Sequence, residues 1–126
     1  MREIKFRQRN INNDSWHYWG NIDSYWVKPL ISANYQSPKE SNQFVGLHDK
    51  NGKEIYESDI ILHEDEFRNE ITISKFIVKF NNGSFYLESI EDAEYNAELS
   101  IKPIEIIGNI YEHKHLLNNN PELLKN

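Results

Sequence analysis

The chain has 126 residues, no cysteine, and 20 acidic against 14 basic residues, for a formal net charge of −6. Disulfides and thiolate metal sites are excluded, and the overall charge works against non-specific phosphate binding, which rests on Lys and Arg. A chain of about one domain's length buries roughly two thirds of its unfolded surface, enough for a core without covalent staples.

The N-terminal "MREIKFRQRN" is charged and lacks an apolar h-region, so it does not read as a secretory signal. No run approaches the roughly 20 apolar residues that span a bilayer. The expectation is a soluble protein of the cytoplasm. Residues 2–8 read as a first strand, whose alternation sets Arg2, Ile4 and Phe6 on one side and Glu3, Lys5 and Arg7 on the other. That mixture fits a strand with a solvated face better than a nucleic-acid arm. "NINND" is a break. "SWHYWGNIDSYW" then holds Trp16, Trp19 and Trp26 together with Tyr18 and Tyr25, a density of aromatics that favours strands. Gly20–Asn21 predicts a turn between two of them. Residues 28–42, with two prolines and many small polar residues, read as a loop with the composition of a mobile one.

"QFVGL" is a short strand. Asn51–Gly52 predicts a type I′ reversal, which needs positive φ at both central residues. "SDIILHE" is the next strand and "DEFRNE" a charged connection. In "EITISKFIVKF", Phe76, Val78 and Phe80 face one way and Ile77 and Lys79 the other. Asn82–Gly83 makes a second turn into "FYLESI", so 73–80 and 85–90 pair as a hairpin. "EDAEYNAEL" reads as one helical turn or a loop. "IKPIEIIGNIYE" is a closing strand with Pro103 on an edge. The tail, 113–126, has an amphipathic look and no assigned packing. Short strands separated by turn signals predict a mainly β fold over a single domain, 1–126. The expected form is a small antiparallel, partly open barrel or sandwich, SH3-like over 56–110, with little helix.

Three blocks, "MREIKFR", "FVGLHDKNGKEIYESDII" and "IEIIGNIYE" with a later "NPELL", occur in an order that resembles the YopX family, small proteins carried by bacteriophages and prophages. The family usually reads "EGD" where this chain has Glu57, Ser58 and Asp59, and commonly "AWD" where this chain has "QRN". "HKHLLNN" separates "NIYE" from "NPELL" here. The resemblance implies a mostly β fold and a phage setting inside a bacterial host. It supplies no biochemical activity and no catalytic residues.

Within Gly46–Ile61, Asp49, Glu54, Glu57 and Asp59 are dense enough to suggest a cation site, but the spacing lacks the calcium-loop pattern "DxDxDG". The structural alternative uses Asp49 to accept turn amides, Ile55, Ile60 and Leu62 as core, Tyr56 over the core with its hydroxyl in water, and Asp59 at a bend. Of the histidines His17, His48, His63, His113 and His115, the pair two apart at 113 and 115 has no third ligand at metal spacing. No cysteine nucleophile, "GxSxG", "HExxH" or Gly-rich phosphate loop occurs. No catalytic residue, metal or cofactor is therefore expected, and an enzyme is the less expected class. The candidate binding residues are Trp16, Trp19, Tyr25 and Trp26, since aromatics anchor interfaces and stack on bases. Strand periodicity puts Trp16 and Tyr18 on one face and His17 and Trp19 on the other, with most of the cluster expected in the core. The expected function is a phage or prophage accessory protein that binds a host or phage protein, or associates with itself. The alternative is a nucleic-acid-binding module using the basic N-terminal strand and the Trp16–Trp26 cluster.

Overall fold

The computed structural model describes residues 4–91, 96–99 and 104–117. The chain divides into two compact units, Met1–Leu47 and His48–Asn126. Among the described residues the regular elements are ten strands and two short 3₁₀ turns, with no α-helix. The expected mainly β, antiparallel fold with little helix is what forms. No helix of the described residues is long and apolar enough to cross a membrane.

The first unit is built on β1 (Lys5–Arg9), β2 (Trp16–Ile22), β3 (Tyr25–Val27) and β4 (Asn42–His48), in the order β3-β2-β1-β4. Each neighbouring pair is antiparallel, with Phe6 opposite Trp19, Arg9 opposite Trp16 and Asn21 opposite Trp26. The turn between the aromatic strands is not Gly20–Asn21 but Asp23–Ser24, with φ of 49° and 71°. Two left-handed residues make the reversal whose twist suits a two-residue hairpin. Gly20 lies inside β2 at φ 101°, where a Cβ would stand 2.4 Å from the Ile4 carbonyl oxygen. Its role is close approach of two strands, and the Asn21 N–H donates to that same carbonyl at 2.8 Å.

Segment 28–42 is fastened from within. The fully buried Gln8 donates from Nε2 to the Leu30 and Gln36 carbonyls, both at 2.9 Å, and accepts the Leu30 N–H at 2.7 Å. A buried amide is stable only when its donors and acceptor are matched, and three main-chain partners achieve this.

The second unit contains β5 (Glu54–Tyr56), β6 (Asp59–Phe67), β7 (Glu70–Asn81), β8 (Ser84–Ser89), β9 (Asn96–Glu98) and β10 (Ile104–Asn109). Its sheet runs β10-β6-β7-β8-β9, all antiparallel, and is not closed into a barrel. Among the described residues, Ile55, Tyr56, Ile60, Ile61, Phe76, Val78, Leu87 and Ile104 are its buried hydrophobic side chains. The predicted hairpin is present, with Phe80 opposite Phe85 across Asn82–Gly83, whose φ values of 51° and 82° are those of a type I′ turn.

Three local expectations change. The charged connection "DEFRNE" is mostly strand. Only Arg68 and Asn69 turn, at φ 54° and 67°, because the register pairs Phe67 with Glu70. Residues 96–98 form a strand on β8 instead of a helical turn or loop. Asn51–Gly52 is not type I′. Gly52 alone has positive φ, 81°, its N–H donates to the Asp49 carbonyl at 3.0 Å, and the Asp49 N–H donates to Lys53 at 2.8 Å. That is a tight turn followed by a left-handed glycine, the three-residue alternative. Pro103 and the tail from 118 onward lie outside the described residues.

Candidate binding surface

The acidic corner resolves into backbone scaffolding. Asp49, 6 % exposed, receives the N–H groups of Asn51 and Lys53 on Oδ1, each at 2.9 Å, and that of Ile106 on Oδ2 at 3.0 Å. Burial pushes its carboxyl up, but the donors from Ile106, Lys53 and Asn51, with the Lys53 charge, outweigh it and leave its pKa below the ordinary 3.8. Hydrogen bonds to the ionised form favour that form. Asp59, also buried, accepts the Tyr56 N–H at 2.8 Å, which fixes the bend through Glu57 and Ser58. Tyr56 is itself buried, and its hydroxyl donates to Glu54 at 3.2 Å instead of lying in water. No group of three or more histidine or carboxylate side chains suited to a metal occurs among the described residues.

The histidines are dispersed. The His17 ring nitrogen meets the Lys28 carbonyl at 2.8 Å, and buried His63 stands edge-on to Phe76. His113 accepts the Asn109 N–H on Nδ1 at 3.2 Å, with His115 beside it at 6.1 Å between ring centres. In that bond His113 offers a lone pair, a role in chain reversal.

The aromatic residues of the first unit divide between two faces of its sheet. On one face Trp19 stacks on Phe6, with centroids 4.3 Å apart and planes at 18°, and Trp26 meets it edge-on at 6.5 Å. The Trp19 Nε1–H donates to Ser41 Oγ at 2.9 Å, so the polar corner of this half-buried indole is satisfied. On the other face the Arg7 guanidinium lies 4.2 Å above Trp16 and that of Arg9 5.7 Å away. Arg7 is buried and donates to Asn42 Oδ1 at 3.3 Å, while Arg9 pairs with Asp14 at 2.9 Å. Such cation–π contacts stabilise by about 0.5–2 kcal/mol each.

Trp16 and Trp19 are thus half-buried, whereas Tyr25 and Trp26 are 77 % and 62 % exposed on the short strand β3. The sheet brings Trp19 and Trp26 together, sets Trp16 on the opposite face, and leaves Tyr25 on the edge. The turn residues Asn51, Gly52, Asn82 and Gly83 belong to the second unit. Sequence reading missed the Arg7–Trp16–Arg9 stack. The signal was present: alternation sets Arg7 and Arg9 on one face of β1, and the antiparallel register then places Trp16 opposite Arg9.

These features define a small, mainly β protein with a partly exposed aromatic edge. The profile described as YopX protein matches residues 5–125, and the chain belongs to the YopX family. No curated protein matches the chain. Among solved structures it is similar to the crystal structure of protein EF1440 from Enterococcus faecalis, at 23 % identity, covering 91 % of this chain and 79 % of that one, with a TM-score of 0.47.

Proposed function

We propose that this protein acts as a phage or prophage accessory factor by binding another protein, with the β2–β3 hairpin as its contact surface. The observation that supports this most is the pair Tyr25 and Trp26, 77 % and 62 % exposed on a three-residue edge strand. Tyrosine and tryptophan are the residue types over-represented among interface hot spots, because they bury much area at low rotamer cost. A two-residue turn holds the strand in place and the Trp19 ring stands edge-on to Trp26, while Tyr25 points to the opposite face, so binding would immobilise little. Self-association through the same edge is a version of this reading.

A pull-down from phage-carrying host cells tests it, with wild type and the Tyr25→Ala/Trp26→Ala double variant side by side. A protein recovered by the wild type and lost with the variant supports the reading. Equal recovery by both places the interface elsewhere, and light scattering on the two proteins decides the self-association version.

Nucleic acid is the second reading, favoured by Lys5, Arg7 and Arg9 lying on the same sheet face as Trp16 and Tyr18. Two guanidinium groups already lie by the Trp16 ring, and Arg7 is buried, so a base would have to displace them. Phosphate contacts would make affinity fall steeply with salt. Tryptophan fluorescence unmoved by single- or double-stranded DNA at low salt would dismiss it.

A further inference from the structure

Asparagine followed by glycine occurs twice, at Asn51–Gly52 and Asn82–Gly83. The pair has a chemistry of its own. With no side chain on the glycine, its main-chain nitrogen can approach the side-chain carbonyl carbon of the asparagine. Both pairs are exposed, so solvent reaches both. They differ in the hydrogen bonding of the attacking nitrogen.

At Asn51–Gly52 that nitrogen is engaged. The Gly52 N–H donates to the Asp49 carbonyl at 3.0 Å and closes the turn, and Asp49 Oδ1 holds the Asn51 N–H at 2.9 Å. Rotating the peptide between Asn51 and Gly52 breaks the closing bond. The Asp49 carboxylate also opposes a second negative charge on a nitrogen of its own turn.

At Asn82–Gly83 the nitrogen is free. The hairpin is held by the pairs before and after the turn, Asn81 with Ser84 and Phe80 with Phe85, the two rings 4.9 Å apart between centres. Among the described residues, neither the Asn82 carbonyl nor the Gly83 N–H has a hydrogen-bond partner. Nothing lies within 4 Å of a Cβ built on Gly83, so the peptide has room to turn over. Turning it over converts the type I′ turn to type II′, the other two-residue hairpin turn, with both flanking pairs intact. Gly83 accepts the change in the sign of φ. In type II′ the first central residue has ψ near about −120°, which brings the Gly83 nitrogen to the same side of the main chain as the Asn82 side chain.

We infer that Asn82 is a self-modification site, where the Gly83 nitrogen attacks the side-chain carbonyl carbon and expels ammonia, while Asn51 stays intact. The Gly83 amide proton, relayed by water, leaves with the side-chain nitrogen. The new bond from the Gly83 nitrogen to Asn82 Cγ closes a five-membered imide, with no oxidation or reduction. Water then opens the imide at either carbonyl. Opening at Cγ leaves aspartate on the ordinary main chain, and aspartate tolerates the left-handed conformation. Opening at the main-chain carbonyl leaves isoaspartate, with the chain routed through Cγ and one carbon longer. A two-residue turn between fixed pairs has no slack for that carbon, so the Asn81–Ser84 pair and the Phe80–Phe85 contact loosen. Either product adds a negative charge to a chain already at −6.

The test is peptide mapping by mass spectrometry of the full chain, aged at mildly alkaline pH with and without concentrated urea. In the folded chain Asn82 should lose its amide about tenfold faster than Asn51, the order expected when one site must first break a hydrogen bond. In urea, where both turns are gone, the two rates should converge. Asn82→Gly, which suits a type I′ turn, should abolish conversion at the hairpin tip and leave the slow one at Asn51. Chromatography separates isoaspartate from aspartate, and the isoaspartate-bearing fraction should unfold at lower denaturant than Asn82→Asp. Equal rates in the folded chain, faster loss at Asn51, an unchanged difference in urea, or an isoaspartate-bearing fraction as stable as Asn82→Asp overturns the proposal.

Discussion

Asp49 accepts the Ile106 N–H on Oδ2 at 3.0 Å across 57 residues of sequence, while Oδ1 holds the turn that follows it. One carboxylate thereby ties a tight turn to the last strand of the second unit. Asp49→Ala leaves those N–H groups without their acceptor, at a cost of about 3 kcal/mol, within the range for unsatisfied buried donors. The pKa of Asp49 is lower folded than its ordinary 3.8, so its contribution to stability is present above that value and lost as pH falls through the folded one. Denaturant unfolding near neutrality and at descending acid pH should show the gap between wild type and Asp49→Asn narrowing on the acid side. A gap independent of pH would contradict this role for the charge.

Gly20 and Gly52 separate two reasons for glycine. At Gly52, φ is 81° and nothing lies within 4 Å of an added Cβ, so only backbone strain resists substitution. Gly52→Val should cost on the order of 1–3 kcal/mol. At Gly20 an added Cβ would also meet the Ile4 carbonyl oxygen at 2.4 Å, so even Gly20→Ala must push β1 and β2 apart. Unfolding curves should show Gly20→Ala to be more costly than Gly52→Ala, and the reverse order would show that the close approach of strands has been misjudged.

Ser58 holds φ at 75°, with its N–H donating to the Val78 carbonyl at 2.8 Å and its carbonyl accepting from Ile110 at 3.1 Å. A left-handed non-glycine residue is strained, and glycine relieves the strain at some cost in unfolded-chain entropy. Ser58→Gly should therefore stabilise the fold by about 1 kcal/mol, read as a higher denaturation midpoint. An unchanged or lower midpoint would count against strain at this corner.

The parts of this fold legible in sequence were those where two local signals agreed. Phe76, Val78, Leu87 and Ser89 follow a period of two, and Asn82–Gly83 supplies the matching turn, so that hairpin could be read directly. Asp23–Ser24 and Arg68–Asn69 make reversals of the same left-handed kind; Asp, Ser and Asn are turn formers, but without a glycine they do not mark which two residues reverse the chain. There the strand register sets the turn. Exposure within the aromatic cluster was illegible for a related reason. Both faces of the strand carry rings, and which ring meets solvent depends on β3 being a short edge strand. The acidic corner was readable in kind, since Asp49 serves turn amides as expected, but its bond to Ile106 joins residues too far apart for any local pattern.

The most direct measurement of the central claim is the affinity of the protein for its captured partner, by calorimetry, with wild type and the Tyr25→Ala/Trp26→Ala double variant at matched thermal stability. Loss of exposed aromatic anchors at the centre of an interface should cost 2 kcal/mol or more, about thirtyfold in affinity. A double variant that binds as tightly as the wild type would contradict the assignment of the β2–β3 hairpin as the contact surface.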